Sequence, residues 1–351
     1  MAYAGKDVII AVKKESTYGT AVAVTSIVPF ISEDINRTIN QISANYNDGF
    51  AALPQLNNTT KEAGGSLQVQ CVFDEIATDI IGVDDLIFAA LGSGAYDATS
   101  GYAVYKPTDE LSVSYTVAIK KGSIIWELSG AKITTLEITG QAGGDITMTA
   151  TFVGKKLLRT GETGITNTTS TFSGLTPANI PTLMRFDQGV FRVGALGDAL
   201  ASGDARCISQ FTLSINNNLS PATFATTCTN HTDGTLTLEP LRNDRRSVTL
   251  SVTHPRSNDQ DEFGWHLNET ELQIDMKFTG SSKNFNFYLP RVRVTAPTEN
   301  VSGRALVPKT VQYTALRNGT TNEDMETSKS GDTIADEIAI ETKNARTAIP
   351  S

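Results

Sequence analysis

The sequence predicts a mainly β protein: an antiparallel β-sandwich or barrel with one short flanking helix, one long loop and a C-terminal arm. Three observations carry that prediction. Apolar residues recur at every second position through much of the 351-residue chain. Compact turn signals separate those runs. Only one segment combines a helical composition with a clear stop.

The strands come first. Leu67, Val69, Cys71 and Phe73 fall on one face of an extended chain, as do Leu111, Val113, Tyr115, Val117 and Ile119. Ile146, Met148, Ala150 and Phe152 repeat the pattern, followed by Phe211, Leu213 and Ile215, by Val248, Leu250 and Val252, and by Leu272, Ile274, Met276 and Phe278. Such alternation marks antiparallel strands with one face in a core and the other toward solvent. Lys121-Gly122-Ser123, the Gly140–Asp145 run and Gly280-Ser281-Ser282 read as turns between them.

The helix is expected over Leu86–Leu91, capped by Asp84 or Asp85 and stopped by Gly92. Asp261–Trp265 is a weaker second candidate. Residues 44–64 carry Gly49, Pro54, Asn57, Asn58 and Gly64 with little periodicity. About twenty residues is long for a connector in a compact domain. Residues 317–351 are polar and acidic, with a sparse stripe of Ile334, Ile338, Ala345 and Ile349. We expect residues 1–316 to form one elaborated domain, with a hint of two pseudo-repeats at about 1–175 and 180–316. The arm, 317–351, is expected on a neighbouring subunit or the outer surface.

Net charge is −9. Counted by segment, residues 1–175 carry −6, residues 176–316 are neutral and residues 317–351 carry −3. That balance argues against tight nucleic-acid binding, which needs many Lys or Arg contacts to phosphate. It suits a wall that DNA slides past. Cys71, Cys207 and Cys228 are odd in number and contain no CxxC, so neither a disulfide framework nor a zinc site is expected. No secretory signal and no membrane-length apolar run are visible, so assembly in a cytoplasm is expected.

Chemistry-bearing motifs are thin. Cys228 and His231 have ligand-like spacing without a second pair. His254 and His266 complete the histidines, and no GxSxG elbow accompanies them. Gly92–Tyr96 follows a helix instead of opening one, so it reads as a cap and turn, not a nucleotide loop. Asp74, Glu75, Asp79, Asp84 and Asp85 read as a solvated acidic face and not as a calcium loop. Arg242, Arg245 and Arg246, with Arg291 and Arg293, are expected to pair with carboxylates. No catalytic residue, cofactor or metal is expected.

Several segments, in order, resemble the tail tube proteins of long-tailed bacteriophages: Glu15–Ala21, Gly65-Ser66-Leu67, Ala90-Leu91-Gly92, Leu128–Ile133, Leu136-Glu137-Ile138, Ala142-Gly143-Gly144, Thr151–Lys155, Phe211–Leu219, Arg246–Leu250, Tyr288–Val292 and a closing strand near Val311-Gln312-Tyr313. Together they span 15–316. The resemblance implies a structural subunit that forms hexameric rings. These stack into a hollow conduit for DNA ejection. It also implies that the chain meets copies of itself and other tail proteins (tape measure, terminator, distal tail), with genomic DNA passing unbound. Tyr46, Phe50, Leu53 and Leu56 are apolar groups that an exposed loop has little reason to keep, so the 44–64 loop is expected to order on a partner. The resemblance points the same way, since tail tube proteins use a long loop in this region to engage the next ring. An inner wall richer in carboxylates than in basic groups is expected. The alternatives from the residues are a glycan-binding virion sandwich, a tail terminator or sheath subunit, and a β-sandwich hydrolase.

Overall fold

The fold is taken from a computed structural model. The structure describes residues 5–44, 46, 52, 55–73, 82–175, 182–229, 231–256, 262–280, 282–300, 307–319, 325, 327–328 and 333–350. The chain begins with β1 (Val8–Lys14), β2 (Ser26–Val28), β3 (Phe30–Glu33), β4 (Asn36–Ser43) and β5 (Leu56–Gln70). Helix α1 (Val83–Leu91) leads into β6 (Gly92–Asp97), β7 (Tyr102–Pro107), β8 (Tyr115–Lys121), β9 (Ile124–Gln141), β10 (Thr147–Gly154) and β11 (Lys156–Arg159). Then come β12 (Gly189–Ala195), β13 (Gln210–Asn216), β14 (Ser247–His254), helix α2 (Glu262–Leu267), β15 (Glu271–Gly280), β16 (Lys283–Glu299), β17 (Lys309–Ala315) and β18 (Ala339–Lys343).

Every strand pairing is antiparallel. One broad sheet runs β4-β5-β10-β9-β13-β14-β17-β16. Two further sheets cover it: β2-β1-β8-β9-β11 and β12-β15-β16-β18-β7-β6. The long strands β9 and β16 belong to two sheets each because they bend. In β9 the bend falls at Gly130, whose φ of +69 only glycine adopts readily and where a Cβ would meet Tyr18 and Lys155. The core lies between the sheets. Phe211 sits at its centre, 5.8 and 5.9 Å from the rings of Phe278 and Phe287. Burying one such ring contributes about 2–3 kcal/mol.

The alternation expected of the strands is present as burial: β10, β13 and β14 each alternate buried and less buried residues. Leu111 and Val113 are buried but precede the strand, which starts at Tyr115. Gly92 ends α1 in the left-handed conformation, its N–H donating to the Phe88 carbonyl. Gly92–Tyr96 is not a turn, as expected, but part of β6. Strand structure also resumes at Leu56, inside the stretch expected to be irregular.

The C-terminal segment departs furthest from expectation. Instead of forming an arm outside the domain, it inserts β18 between β16 and β7 of its own subunit. Ile334, Ile338 and Ile340 are fully buried. The Glu341 carboxylate, also fully buried, accepts hydrogen bonds from Asn286 Nδ2 (2.6 Å), Tyr288 Oη (3.2 Å) and the Ser328 N–H (2.6 Å). A polar segment that cannot build a core alone is here stabilised by hydrogen bonds to a core already present.

Candidate assembly surfaces

Glu15, in the first of the segments that carry the resemblance, makes a structural anchor. Glu15 is 5% exposed, and its two carboxylate oxygens take four donors. Oε1 accepts from the Gly130 N–H (2.8 Å) and Thr116 Oγ1 (2.9 Å). Oε2 accepts from the Gly19 N–H and Ser114 Oγ, both at 2.8 Å. The carboxylate thereby ties the loop after β1 to β8 and to the bend in β9. Glu127 does the same for the loop after β11, accepting from the N–H groups of Thr166 and Asn167 and from Asn167 Nδ2.

Asp84 and Asp85 are not a solvated acidic face. Both lie on α1 and are buried. Asp84 Oδ2 accepts from Tyr105 Oη (2.8 Å), Thr342 Oγ1 (2.9 Å) and Asn344 Nδ2 (2.9 Å). Asp85 pairs with Arg346, 2.7 Å away and 3% exposed. Burial pushes the Asp85 carboxyl above its usual range, and Arg346 opposes the shift. These carboxylates therefore hold the C-terminal segment against α1. Asp74, Glu75 and Asp79 lie outside the described residues.

Of Arg242, Arg245, Arg246, Arg291 and Arg293, three pair with carboxylates of their own subunit, Arg242 meets backbone carbonyls instead, and Arg245 is exposed. Arg291 pairs with Glu271 at 2.7 Å, Arg293 with Glu269 and Glu271 at 3.0 Å, and Arg246 with Glu337. Arg242 donates to the carbonyls of Asn217, Thr108 and Asp109. The cleft beside them, about 760 Å³, is lined by as many carboxylates as arginines and does not form a basic groove. Cys228 and His231 close a tight turn through their own backbones. His254, on β14, faces Glu262, which in turn pairs with Lys309 at 2.5 Å. Among the described residues no three His, Cys, Asp or Glu side chains converge as a metal site would need. No helix among them is long and apolar enough to cross a membrane.

Two surfaces among the described residues are candidates for assembly. The first is the face of the broad sheet turned away from the core. It presents Thr135 and Thr139 on β9, Thr147, Thr149 and Thr151 on β10, Thr212 and Ser214 on β13, Thr249, Ser251 and Thr253 on β14, and Thr310, Gln312 and Thr314 on β17. Glu137 is the only charged side chain among residues 135–139, 147–151, 210–216, 249–253 and 310–314. Hydroxyls bond across strands, as in Thr139–Thr147 (2.8 Å) and Thr253–Thr310 (3.1 Å).

The second surface is the hairpin of β4 and β5. Strand β10 stops pairing at Ala63, so residues 56–62 of β5 overhang with β4 as their only strand partner. Its base is held to the body of the subunit, the Lys61 N–H donating to the Thr235 carbonyl, so the free part is residues 56–60, roughly 17 Å at about 3.4 Å per residue. Its polar side chains form a ladder, Gln41 to Asn58 at 2.7 Å and Asn40 to Thr60 at 2.9 Å. Ile42 is 59% exposed, Tyr46 63% and Leu56 53%. Phe50 and Leu53 lie outside the described residues. The sequence marked Tyr46 and Leu56 but not Ile42, which stands near the end of β4.

A family model described as phage tail tube protein matches residues 5–315 of this chain. No curated protein matches it.

Proposed function

This chain belongs to the phage tail tube protein family, and from that premise we propose that it forms stacked rings enclosing a DNA conduit. Family membership makes it a structural subunit of the virion tail, one that assembles with itself and with other tail proteins. The proposal adds how: rings of six-fold symmetry, stacked through the β4–β5 hairpin, with the hydroxyl face of the broad sheet toward the lumen. Tape measure, terminator and distal tail proteins are the expected further partners, with assembly in the host cytoplasm and no reaction catalysed.

The hairpin carries the reading. A two-stranded ribbon exposed on both faces is marginal alone in water, and exposed apolar side chains along it mark a contact surface. Stacking on another ring would cover Ile42, Tyr46 and Leu56. Replacing residues 45–54 with a short Gly-Ser link keeps β4 and β5 intact. The expected result is a folded subunit that no longer gives long tubes by negative-stain microscopy. Tubes of normal length from this variant would overturn the stacking role.

A further inference from the structure

The register of the strand pairs repeats along the chain. Adding 161 to both numbers of the β9–β10 register gives the β16–β17 register: Ile133↔Phe152 becomes Val294↔Tyr313, and Met148↔Ile138 becomes Lys309↔Glu299. Even the bulge is shared, with Thr134 the extra residue between Ile133 and Thr135 in one and Thr295 between Val294 and Ala296 in the other. The β8–β9 pairing recurs as β15–β16 with the same irregularity, Tyr115↔Ala131 and Val117↔Leu128 against Leu272↔Val292 and Ile274↔Leu289. Further, β5–β10 recurs as β14–β17, β1–β8 as β12–β15, and β4–β5 as β13–β14. Strand β18 pairs β16 where β11 pairs β9. The helix α1 stands between β5 and β8 as α2 stands between β14 and β15. Bulges are fold-specific features, so two matched bulges within matched registers identify two copies of one module.

The modules are joined by β9 and β13, from Gln210↔Gln141 to Asn216↔Thr135. In the second module the strand equivalent to β9 is β16. In the first module the strand equivalent to β13 is β4 with β3. Along residues 294–299 of β16 and 36–43 of β4, no strand pairs on the outer edge among the described residues. One chain therefore offers, as open edges, the two halves of a contact that it already makes internally.

We propose that neighbouring chains join by repeating that internal contact: β4 of one subunit pairs antiparallel with the second half of β16 of the next. Transposing the internal register (Asn216↔Thr135 becomes Thr38↔Ala296, Ser214↔Glu137 becomes Asn36↔Thr298) sets Ile35 opposite Glu299, Asn36 opposite Thr298, Arg37 opposite Pro297 and Thr38 opposite Ala296. The strand directions agree, since β4 and β13 run alike, as do β9 and β16. Each chain then supplies eight strands to one closed sheet, which removes the exposed edges that would otherwise recruit strands without selectivity. Pro297 stands where β9 has Leu136 and lacks an N–H, so the joint between chains has one backbone donor fewer than the joint within a chain. It is the weaker of two like contacts, which lets the subunit fold first and associate second. A ring built this way holds two modules per chain and shows a pseudo-symmetry of twice its chain number. The proposal rests on the tail tube reading.

The test is a cysteine pair at the transposed register. The Asn217 N–H donates to the Thr134 carbonyl, so Thr135 and Asn216 form a non-hydrogen-bonded pair. Their counterparts Thr38 and Ala296 would sit in the same close geometry, which suits a disulfide. T38C/A296C is made with Cys207→Ser and Cys228→Ser, assembled, oxidised and run on a non-reducing gel. Covalent oligomers up to one ring, absent from each single-cysteine control, are expected. Tubes that form without cross-linking, or cross-link equally in the single-cysteine controls, overturn the joint while leaving the tube reading intact. If the wild-type chain gives no rings or tubes, the tube reading itself has failed. Cryo-electron microscopy of wild-type tubes is the second measurement: a ring without paired-module pseudo-symmetry also overturns the proposal.

Discussion

Replacing Arg346 with methionine should destabilise the subunit in a pH-dependent way, because it leaves Asp85 buried without its cation. The side chains are 2.7 Å apart, and Asp85 and Arg346 are 4% and 3% exposed. Removing one partner of a buried pair costs about 3–5 kcal/mol. For a chain of this length the unfolding entropy is roughly 0.7 kcal/mol/K, so Tm should fall by about 4–7 °C. Burial already raises the Asp85 carboxyl and Arg346 is the chief opposing influence, so R346M raises it further. A carboxyl whose folded pKa exceeds its unfolded value takes up protons on folding. Stability from that group is greatest in acid and declines as pH rises through the interval between the two values. The R346M deficit should therefore be small near the ordinary carboxyl pKa and largest at neutral pH. D85N/R346M should recover part of it. Urea titrations of the unassembled subunit at pH 5 and pH 7.5 measure both quantities. A loss under about 0.5 kcal/mol at neutral pH, with no change between the two, would refute the conclusion that the C-terminal segment is locked into its own subunit.

Other outcomes follow from the same structure. Truncation after Glu337 removes β18 and exposes the edges of β16 and β7, so the subunit should lose cooperative unfolding by circular dichroism. Glu15→Gln places an amide where four donors converge and should cost about 2–3 kcal/mol, read as a lowered urea midpoint. Burial holds the His254 imidazole below its ordinary pKa. The unfolded chain then binds the proton more readily, and stability should fall as pH drops below about 6.5; His254→Gln should flatten that slope. Thr149→Lys with Ser251→Lys puts cations on the proposed lumen face. Tubes should still form but should retain short duplex DNA at low salt in co-sedimentation, whereas wild-type tubes should not.

The strands were legible in the sequence because a sheet with one buried face forces alternation onto its residues. Phe211, Leu213 and Ile215 show that directly. Where no core face exists the signal vanishes: β4 and the start of β5 are exposed on both sides, so nothing imposes a period, and Asn57, Asn58, Thr59 and Thr60 read as loop. The C-terminal strand was hidden for the opposite reason. Glu341, Thr342 and Arg346 are buried, yet their burial depends on partners far away in the chain, Asn286, Asp84 and Asp85. Hydropathy reads such residues as solvated because it carries no information about pairing. Asp84 and Asp85 were misread the same way. Of the expected contact residues, Tyr46 and Leu56 were legible because an apolar residue in a polar stretch is visible without knowing the fold, and both are exposed on the hairpin.

The proposed conduit wall bears on how a tube avoids holding its DNA. A net charge of −9 leads to the expectation of an acidic lumen. On the proposed wall the five central strand segments carry Glu137 alone, and the flanking strand β16 adds Arg293, cross-strand from Thr314 and paired with Glu269 and Glu271. At physiological ionic strength the screening length is about 8 Å, so one isolated carboxylate per chain repels a passing duplex only at short range. Adhesion to DNA comes chiefly from cations that displace counterions from phosphate, and its strength scales with the number of such contacts. A face without Lys or Arg in these segments supplies none of them. Threonine adds a second advantage: its hydroxyls bond to one another across β9 and β10 and across β14 and β17, which leaves fewer donors free to seek phosphate oxygens. Low adhesion on such a wall follows from central segments without cations, with Arg293 beside them already paired to Glu269 and Glu271, more than from repulsion. The lysine substitutions should therefore change DNA retention far more than Glu137→Gln does.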